Sequence, residues 1–265
     1  MNYTFENKII NADCLRILPT IPDNTFDLIL SDPPYVSALK EIYSEWNKVD
    51  FNILAGEYSR LLKPDGQVCL FSDPVTFATL YPILSEYFNY RFCFYWRKSN
   101  GQIINKQMPR SNVEMIHVWK PKHTLTKDVT FNPVMRPGKP YIKRHKAGNP
   151  TRKNEQSYTT RNETGERWPD QVLDYPSKDN LSNPERSNAK PFPCYKPISL
   201  VGYLFRTLSN PGDFILDNFA GSGSVGIACH RLGRKWLLIE SDPQYYRESR
   251  ELINRELNQM ELLNV

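Results

Sequence analysis

Short apolar runs alternate with segments of helical period along most of this chain, and that alternation restricts it to a doubly wound α/β sheet. Phe26-Asp27-Leu28-Ile29-Leu30-Ser31 is a near-continuous apolar run stopped by Pro33-Pro34, as a strand buried on both faces requires. Phe51, Leu54, Tyr58, Leu61 and Leu62 recur at helical spacing, and Lys63-Pro64-Asp65-Gly66 stops that helix. The pattern then predicts a strand over 67–71, an amphipathic helix over 75–88, and strands over 91–96 and 114–119. After a long interruption it predicts a helix over 198–208, a strand over 214–217 and a helix over 224–232 closed by Gly233. A strand over 235–240 and a charged helix over 243–263 complete the reading, with no internal repeat.

The interruption runs from about Lys120 to Pro191 and is rich in Pro, Gly, Asn, Ser, Thr and basic residues. A loop of that length does not belong inside a compact domain, so it reads as a functional insertion, ordered on binding. Its charge supports this. Lys120 to Arg167 holds twelve Lys/Arg against four Asp/Glu, a local +8, while the whole chain carries +5, so the remainder sums to −3. Such a segment favours a polyanionic partner through counterion release, the alternative being a solvated loop.

At 265 residues and 40% hydrophobic, the chain has the size of one large domain. No run of about 18 apolar residues occurs, and the first residues lack the basic start and apolar stretch of a signal peptide. A cytoplasmic protein with no membrane partner is expected. The five cysteines are scattered and never in a C-x-x-C pair, and the four histidines form no H-E-x-x-H pattern. Neither a disulfide framework nor a metal site is expected, and the histidines, like Trp96 and Trp119, read as surface or satisfied packing residues.

Two constellations carry chemistry. Ser31-Asp32-Pro33-Pro34-Tyr35 ends a predicted strand, where open α/β sheets place their ligands. Pro33 and Pro34 have no backbone N–H, so the loop offers acceptors, the Asp32 carboxylate and backbone carbonyls, without competing donors. An exocyclic amine, with two N–H donors, suits it, and Tyr35 adds a face on which an extruded base could stack. A capped Pro-Pro turn with a packed Tyr is the plain structural alternative. Asp217-Asn218-Phe219-Ala220-Gly221-Ser222-Gly223-Ser224 is a strand entering a Gly-rich turn and then a helix. Its glycines let a ligand approach the backbone closely, and Glu240, nineteen residues past Gly221, ends the next strand where a carboxylate accepts ribose hydroxyls. The pattern Gly221-x-Gly223-x-x-Gly226 equally satisfies a dinucleotide fingerprint.

Taken together and in this order, the two constellations resemble the β-group DNA amino-methyltransferases, in which a D-P-P-Y element precedes a target-recognition insertion and an F-x-G-x-G element comes last. Asn11-Ala12-Asp13-Cys14 is similar to the family's x-G-D element, with Ala12 for Gly. Pro193-Cys194-Tyr195-Lys196-Pro197 resembles its P-T-Q-K-P stretch, departing at Cys194 and Tyr195, and Phe192 stands where His is common. The resemblance implies a Rossmann-like, permuted methyltransferase domain. Residues 1–119 would form its catalytic half, 120–191 a basic target-recognition insertion, and 192–265 its cofactor-binding half.

It further implies S-adenosylmethionine as cofactor, held by Asp13, Cys14, Asp32, Lys196, Asp217, Phe219, Ala220, Gly221, Ser222, Gly223 and Glu240. Asp32, Pro33, Pro34 and Tyr35 would be the catalytic set, acting on N6 of adenine in DNA. An Asp opening x-P-P-Y goes mostly with adenine in this group and a Ser mostly with N4 of cytosine, which is the alternative product. Lys139, Lys143, Arg144, Lys146, Arg152 and Lys153 are the candidate phosphate contacts, charges that position more than they specify. A separately encoded restriction endonuclease, as in restriction-modification systems, and a homodimer are further partners the resemblance brings, in a bacterial or phage-infected cell. A nicotinamide-dependent dehydrogenase would leave Asp32–Tyr35 and the basic insertion without a task. A non-catalytic nucleic-acid-binding protein would have no use for Asp32, Tyr35 and the cofactor glycines together.

Overall fold

The computed structural model describes residues 5–35, 49–103, 106–147, 157–176 and 195–263. Residues 5–132 and 171–263 form one compact unit built on an eight-stranded sheet. In chain order its elements are β1 (Lys8–Asn11), α1 (Cys14–Ile17), β2 (Phe26–Ser31), α2 (Phe51–Leu61), β3 (Leu62–Ser72), α3 (Pro74–Leu84), β4 (Phe88–Gln102) and β5 (Ser111–Pro121). Next come β6 (Tyr141–His145), β7 (Tyr158–Asn162) and β8 (Val172–Tyr175), of which only β8 joins this sheet. The last are α4 (Ile198–Leu208), β9 (Phe214–Asp217), α5 (Ser224–Arg231), β10 (Lys235–Glu240) and α6 (Pro243–Leu263).

The strand order is β1-β10-β9-β2-β3-β5-β4-β8. The first five strands pair in parallel, β5 is antiparallel to both β3 and β4, and β8 lies parallel to β4. Leu28, Ile29 and Leu30 are fully buried. Ile29 belongs to a core that contains Leu54, Tyr58 and Leu61 of α2 and Leu80 and Leu84 of α3. On the other face, Gly226 of α5 lies so close to Leu238 and Trp236 of β10 that an added Cβ would come 2.9 Å from the Leu238 Cδ1. Helices on both faces explain why these strands read as unbroken apolar runs. Burying each such side chain stabilises the fold by about 1.5–3 kcal/mol.

Local chemistry sets the helix starts. The Asp50 carboxylate accepts the backbone N–H groups of Asn52 and Ile53 (2.9 and 3.3 Å), and that of Asp73 accepts from Thr76 (2.7 Å), with Pro74 in the first turn. Four strand and helix limits differ from the sequence pattern. β3 begins at Leu62, because Lys63-Pro64-Asp65-Gly66 ends α2 and then bulges within the strand: Phe26 pairs with Leu62 but Leu28 with Gln67. Lys63 Nζ binds both Asp27 oxygens at 2.8 Å across that bulge. α3 stops at Leu84, and β4 and β5 extend outward as a long hairpin pair beyond their apolar centres. β8 has no periodicity to read, since only Leu173 is buried. It is held by pairing to β4, by Trp96 Nε1 donating to the Tyr175 carbonyl (2.9 Å) and by Arg97 on Asp174. Among the described residues no helix is long and apolar enough to cross a membrane.

Residues 133–170 form a second compact unit. In it β6 and β7 make an antiparallel ribbon with Lys143 opposite Thr160 and Arg144 opposite Thr159. Gly165 has φ +80° and packs so tightly that a Cβ would lie 2.3 Å from the Gly138 carbonyl oxygen, so only glycine fits.

His117 departs from the expectation of surface or satisfied histidines. The inward register of β5 places it opposite Leu70 and Cys93, buried and stacked on Phe77 at 3.8 Å, and neither ring nitrogen has a hydrogen-bond partner among the described residues. Burial pushes its imidazole down to about 4 from the ordinary 6.5. The unfolded chain therefore takes up a proton near pH 6.5 that the native state refuses until about pH 4. Stability is full above pH 6.5 and is lost as the pH falls toward 4. Replacing His117 with Phe is expected to remove roughly 2–3 kcal/mol of that acid loss. Urea unfolding of both proteins at neutral and at mildly acidic pH measures it, and equal losses would refute the assignment.

Candidate active site

β9 and β2 are neighbours, with Leu28 beside Ile215 and Ile29 beside Leu216, yet β9 connects onward to β10 on one side while β2 connects to β3 on the other. Their carboxyl-end loops therefore diverge and leave a crevice, the usual ligand position in an open α/β sheet. The two sequence constellations meet there. Ser31, Asp32, Phe71, Lys196, Phe219 and Ser222 are among the residues lining one cleft. Ser31 Oγ and Tyr58 Oη both donate to Asn218 Oδ1, at 3.1 and 2.6 Å, which ties the two loops together below it.

On the β2 side, Asp32 Oδ2 lies 2.6 Å from Lys196 Nζ, and Asp32 Oδ1 is buried with no hydrogen-bond partner among the described residues. Burial raises the Asp32 carboxyl above its ordinary range, Lys196 works against the rise, and the charge of Glu114 adds to it. Pro33 and Pro34 are buried, and Tyr35 is half-buried with its hydroxyl donating to Glu114 Oε1 at 3.1 Å. Glu114 also faces Lys98 (3.4 Å) and Lys196 (3.5 Å). Burial alone would raise its carboxyl, but Lys196, then Lys98, then the Tyr35 hydroxyl hold it below the ordinary value. Asp32 and Glu114 are thus balanced by Lys196 and Lys98 in a site where unpaired charge would cost several kcal/mol. Lys196 Nζ also sits 5.0 Å from the Phe71 ring centroid.

On the β9 side, Gly221 (φ +49°) and Gly223 (φ +74°) shape the turn, and a Cβ on Gly223 would sit 3.0 Å from Ile253 Cδ1 and Ser249 Cβ of α6. Glu240 holds this turn from the next strand. Its Oε2 accepts from Gly221 N (2.8 Å) and its Oε1 from Asp242 N (2.8 Å). Burial raises its carboxyl, which the backbone bonds from Asp242 and Gly221 oppose. Asp217 is pushed up to about 8, first by burial and further by Asp32 and Glu240, while its Oδ1 accepts Phe219 N at 3.0 Å. Asp13 lies exposed just past β1, where Asn11 pairs with Glu240, and it caps α1 by accepting from Leu15 N (2.9 Å). Cys14 is buried in the core, its thiol raised to about 11 by burial. Ala220 is buried beneath the turn, with its N–H donating to the Ile239 carbonyl.

Lys139, Lys143, Arg144 and Lys146 are exposed in the unit of residues 133–170, while Arg152 and Lys153 lie outside the described residues. Glu114, Lys98 and Tyr58 belong to the site but carry no motif, while Asn218 sits within the Asp217–Ser224 constellation and acts there as the acceptor that joins the two loops. A lone Glu opening the apolar stretch Met115-Ile116-His117-Val118-Trp119 was the one available signal for Glu114.

A mostly parallel sheet with both loops at its switch point is a Rossmann-like methyltransferase fold, and solved structures share it. The M1.HpyAVI–SAM complex superposes with a TM-score of 0.61 at 21% identity, covering 92% of this chain and 98% of that one. The cytosine-N4-specific PvuII DNA methyltransferase gives 0.60 at 19% identity, covering 95% and 91%. A family model described as DNA methylase matches residues 26–251, and the chain belongs to that family. Among curated relatives, the type II methyltransferase M.HpaI of Haemophilus parainfluenzae is 25% identical over 96% of this chain and 76% of its own length. The DNA adenine methyltransferase YhdJ of Escherichia coli K12 is 28% identical over 90% and 80%.

Proposed function

We propose that this chain transfers a methyl group from S-adenosylmethionine to N6 of adenine in DNA. The observation that carries the reading is the buried Oδ1 of Asp32, without a partner among the described residues, beside two prolines that lack N–H groups. A buried acceptor left open costs about 1–3 kcal/mol, which a substrate donor such as an exocyclic amine recovers.

The residues present fit the cofactor. Gly221 and Gly223 open the backbone, Asp217 and Glu240 are buried acids at adjacent strand ends, and Asp13 stands past the neighbouring strand. When bound, S-adenosylmethionine supplies an electrophilic methyl group. The chain does the rest on the base. The adenine amine is a poor nucleophile because its lone pair is delocalised into the ring. By accepting its hydrogens, Asp32 and the Pro33 carbonyl localise that lone pair and direct it across the crevice. Lys196 keeps the carboxylate ionised and fixed, and Tyr35, tethered by Glu114, offers the stacking face for a base extruded from the duplex. After transfer Asp32, with its raised carboxyl pKa, is suited to take the departing proton. Orientation of this kind accounts for about 7–11 kcal/mol of a barrier.

The test is to incubate the protein with methyl-labelled cofactor and unmodified mixed-sequence DNA, digest to nucleosides, and identify the labelled one by chromatography and mass. N6-methyladenine is expected. Methylcytosine as sole product would overturn the adenine assignment, and NAD binding without S-adenosylmethionine binding would overturn the reading altogether. A separately encoded restriction endonuclease and a homodimer are partners this reading carries with it, in a cytoplasmic setting.

The basic unit is assigned to DNA phosphates. Strand alternation puts Lys143 and Arg144 on opposite faces of the β6–β7 ribbon, so one ribbon face does not present both. Neutralising Lys143, Arg144 and Lys146 together is expected to lower the slope of log affinity against log salt by about 1–2, at about 0.9 for each phosphate no longer neutralised. Fluorescence anisotropy over a salt series measures it, and an unchanged slope would remove these residues from the DNA path.

A further inference from the structure

β5 runs opposite to its neighbours, so the β4–β5 hairpin turns back at the carboxyl edge of the sheet, the edge that holds Asp32 and Gly221. There an open groove lies between the ends of β4, β5 and β8, lined in part by Arg97, Lys98, Arg110, Asn112, Asp174 and Tyr175. Three cations face one carboxylate. Arg97 is already matched, its guanidinium gripping both Asp174 oxygens at 2.5 and 2.7 Å. Arg110 is exposed and has no ion-pair partner among the described residues. Lys98 is shared. Its ammonium lies 4.9 Å over the Trp96 ring and only 3.4 Å from Glu114 Oε1, the oxygen that also receives the Tyr35 hydroxyl.

We infer that this groove binds a phosphodiester of the target strand beside the extruded nucleotide, with Arg110 and Lys98 as its cations and the Asn112 amide as a neutral donor. The inference rests on the function proposed above and goes beyond it by placing a DNA-binding groove on the catalytic unit itself. Its chemistry is that of an anion site: a cation without an ion-pair partner among the described residues, a second cation in a long and replaceable ion pair, and amide and phenol groups. No task in binding the cofactor falls to these residues, which lie outside the cleft of Asp32 and Gly221. A phosphate seated here draws Lys98 from Glu114. Glu114 then holds Tyr35 and Lys196 more tightly, so the stacking face is fixed when the strand is in place.

The experiment uses the full chain and a labelled mixed-sequence duplex, comparing Arg110→Ala with Arg255→Ala, an exposed residue of α6, as a control. The expected result is a salt slope lower by about 0.9 for Arg110→Ala alone. The KM for DNA rises severalfold, while kcat at saturating DNA and affinity for S-adenosylmethionine are unchanged. An unchanged slope for Arg110→Ala, or an equal fall in both variants, would overturn the groove. Because the slope needs no turnover, absence of methyl transfer by the unmutated protein would count against the proposed function and leave the groove judged by its own measurement.

Discussion

Replacing Asp32 with alanine is expected to lower methyl transfer by at least about 10²–10³-fold, the scale on which a single preorganised polar group acts on a developing charge. Affinity for S-adenosylmethionine should stay within a few fold. The carboxylate is assigned to the target amine: its Oδ1 is the open acceptor, and its Oδ2 is anchored on Lys196 at 2.6 Å. Removing it does not strand the lysine, since Glu114 remains 3.5 Å away, so loss of activity would not reflect loss of fold. Asp32→Asn sharpens the test. It keeps the shape but turns one acceptor into a donor facing an amine, and it should be as inactive as the alanine variant. Calorimetric titration with the cofactor beside a transfer assay reads both quantities. Substantial turnover in either variant would sink the role of Asp32, and parallel loss of cofactor affinity would move it to the other half of the site.

Glu240→Ala is expected to do the reverse. Loss of a charged acceptor for ribose hydroxyls, about 1.5–3 kcal/mol per charge-assisted bond, corresponds to about 10- to 100-fold weaker cofactor binding. The rate at saturating cofactor should fall much less. The structure adds a second contribution to the same effect. Glu240 holds the Gly221 and Asp242 N–H groups at 2.8 Å, so the alanine variant also loosens the glycine turn. Glu240→Gln retains one acceptor oxygen and should lie between the two. Unchanged affinity in the alanine variant would exclude Glu240 from the cofactor site.

Much of this architecture was legible because the responsible physics is local. The limits of α4, β9, β10 and α6 coincide with the apolar periods and with the Gly and Pro punctuation around them. Pro33 and Pro34 exclude donors wherever the loop sits, and Gly221 and Gly223 take positive φ that other residues resist, so both constellations announce their chemistry before any pairing is known.

What the chain order could not reveal depends on strand direction and on who faces whom. Glu114 lies near the start of β5, and a residue near the start of a strand in a parallel sheet would lie toward the edge away from the ligands. It reaches Tyr35 and Lys196 only because β5 runs antiparallel, which no residue within it encodes. Lys196 lies 164 positions from Asp32 in sequence, and its pairing with that carboxylate exists only once the loop after β2 and the residues before α4 meet at the cleft. β8 is a strand without a strand's pattern, created by the edge of β4. Periodicity and turn chemistry, acting over a few residues, marked the elements from β2 to β5 and from α4 to α6, and the two reactive loops, by themselves. The charge balance around Asp32 was decided by tertiary structure, because Coulomb and hydrogen-bond partners are chosen by distance in space and not along the chain.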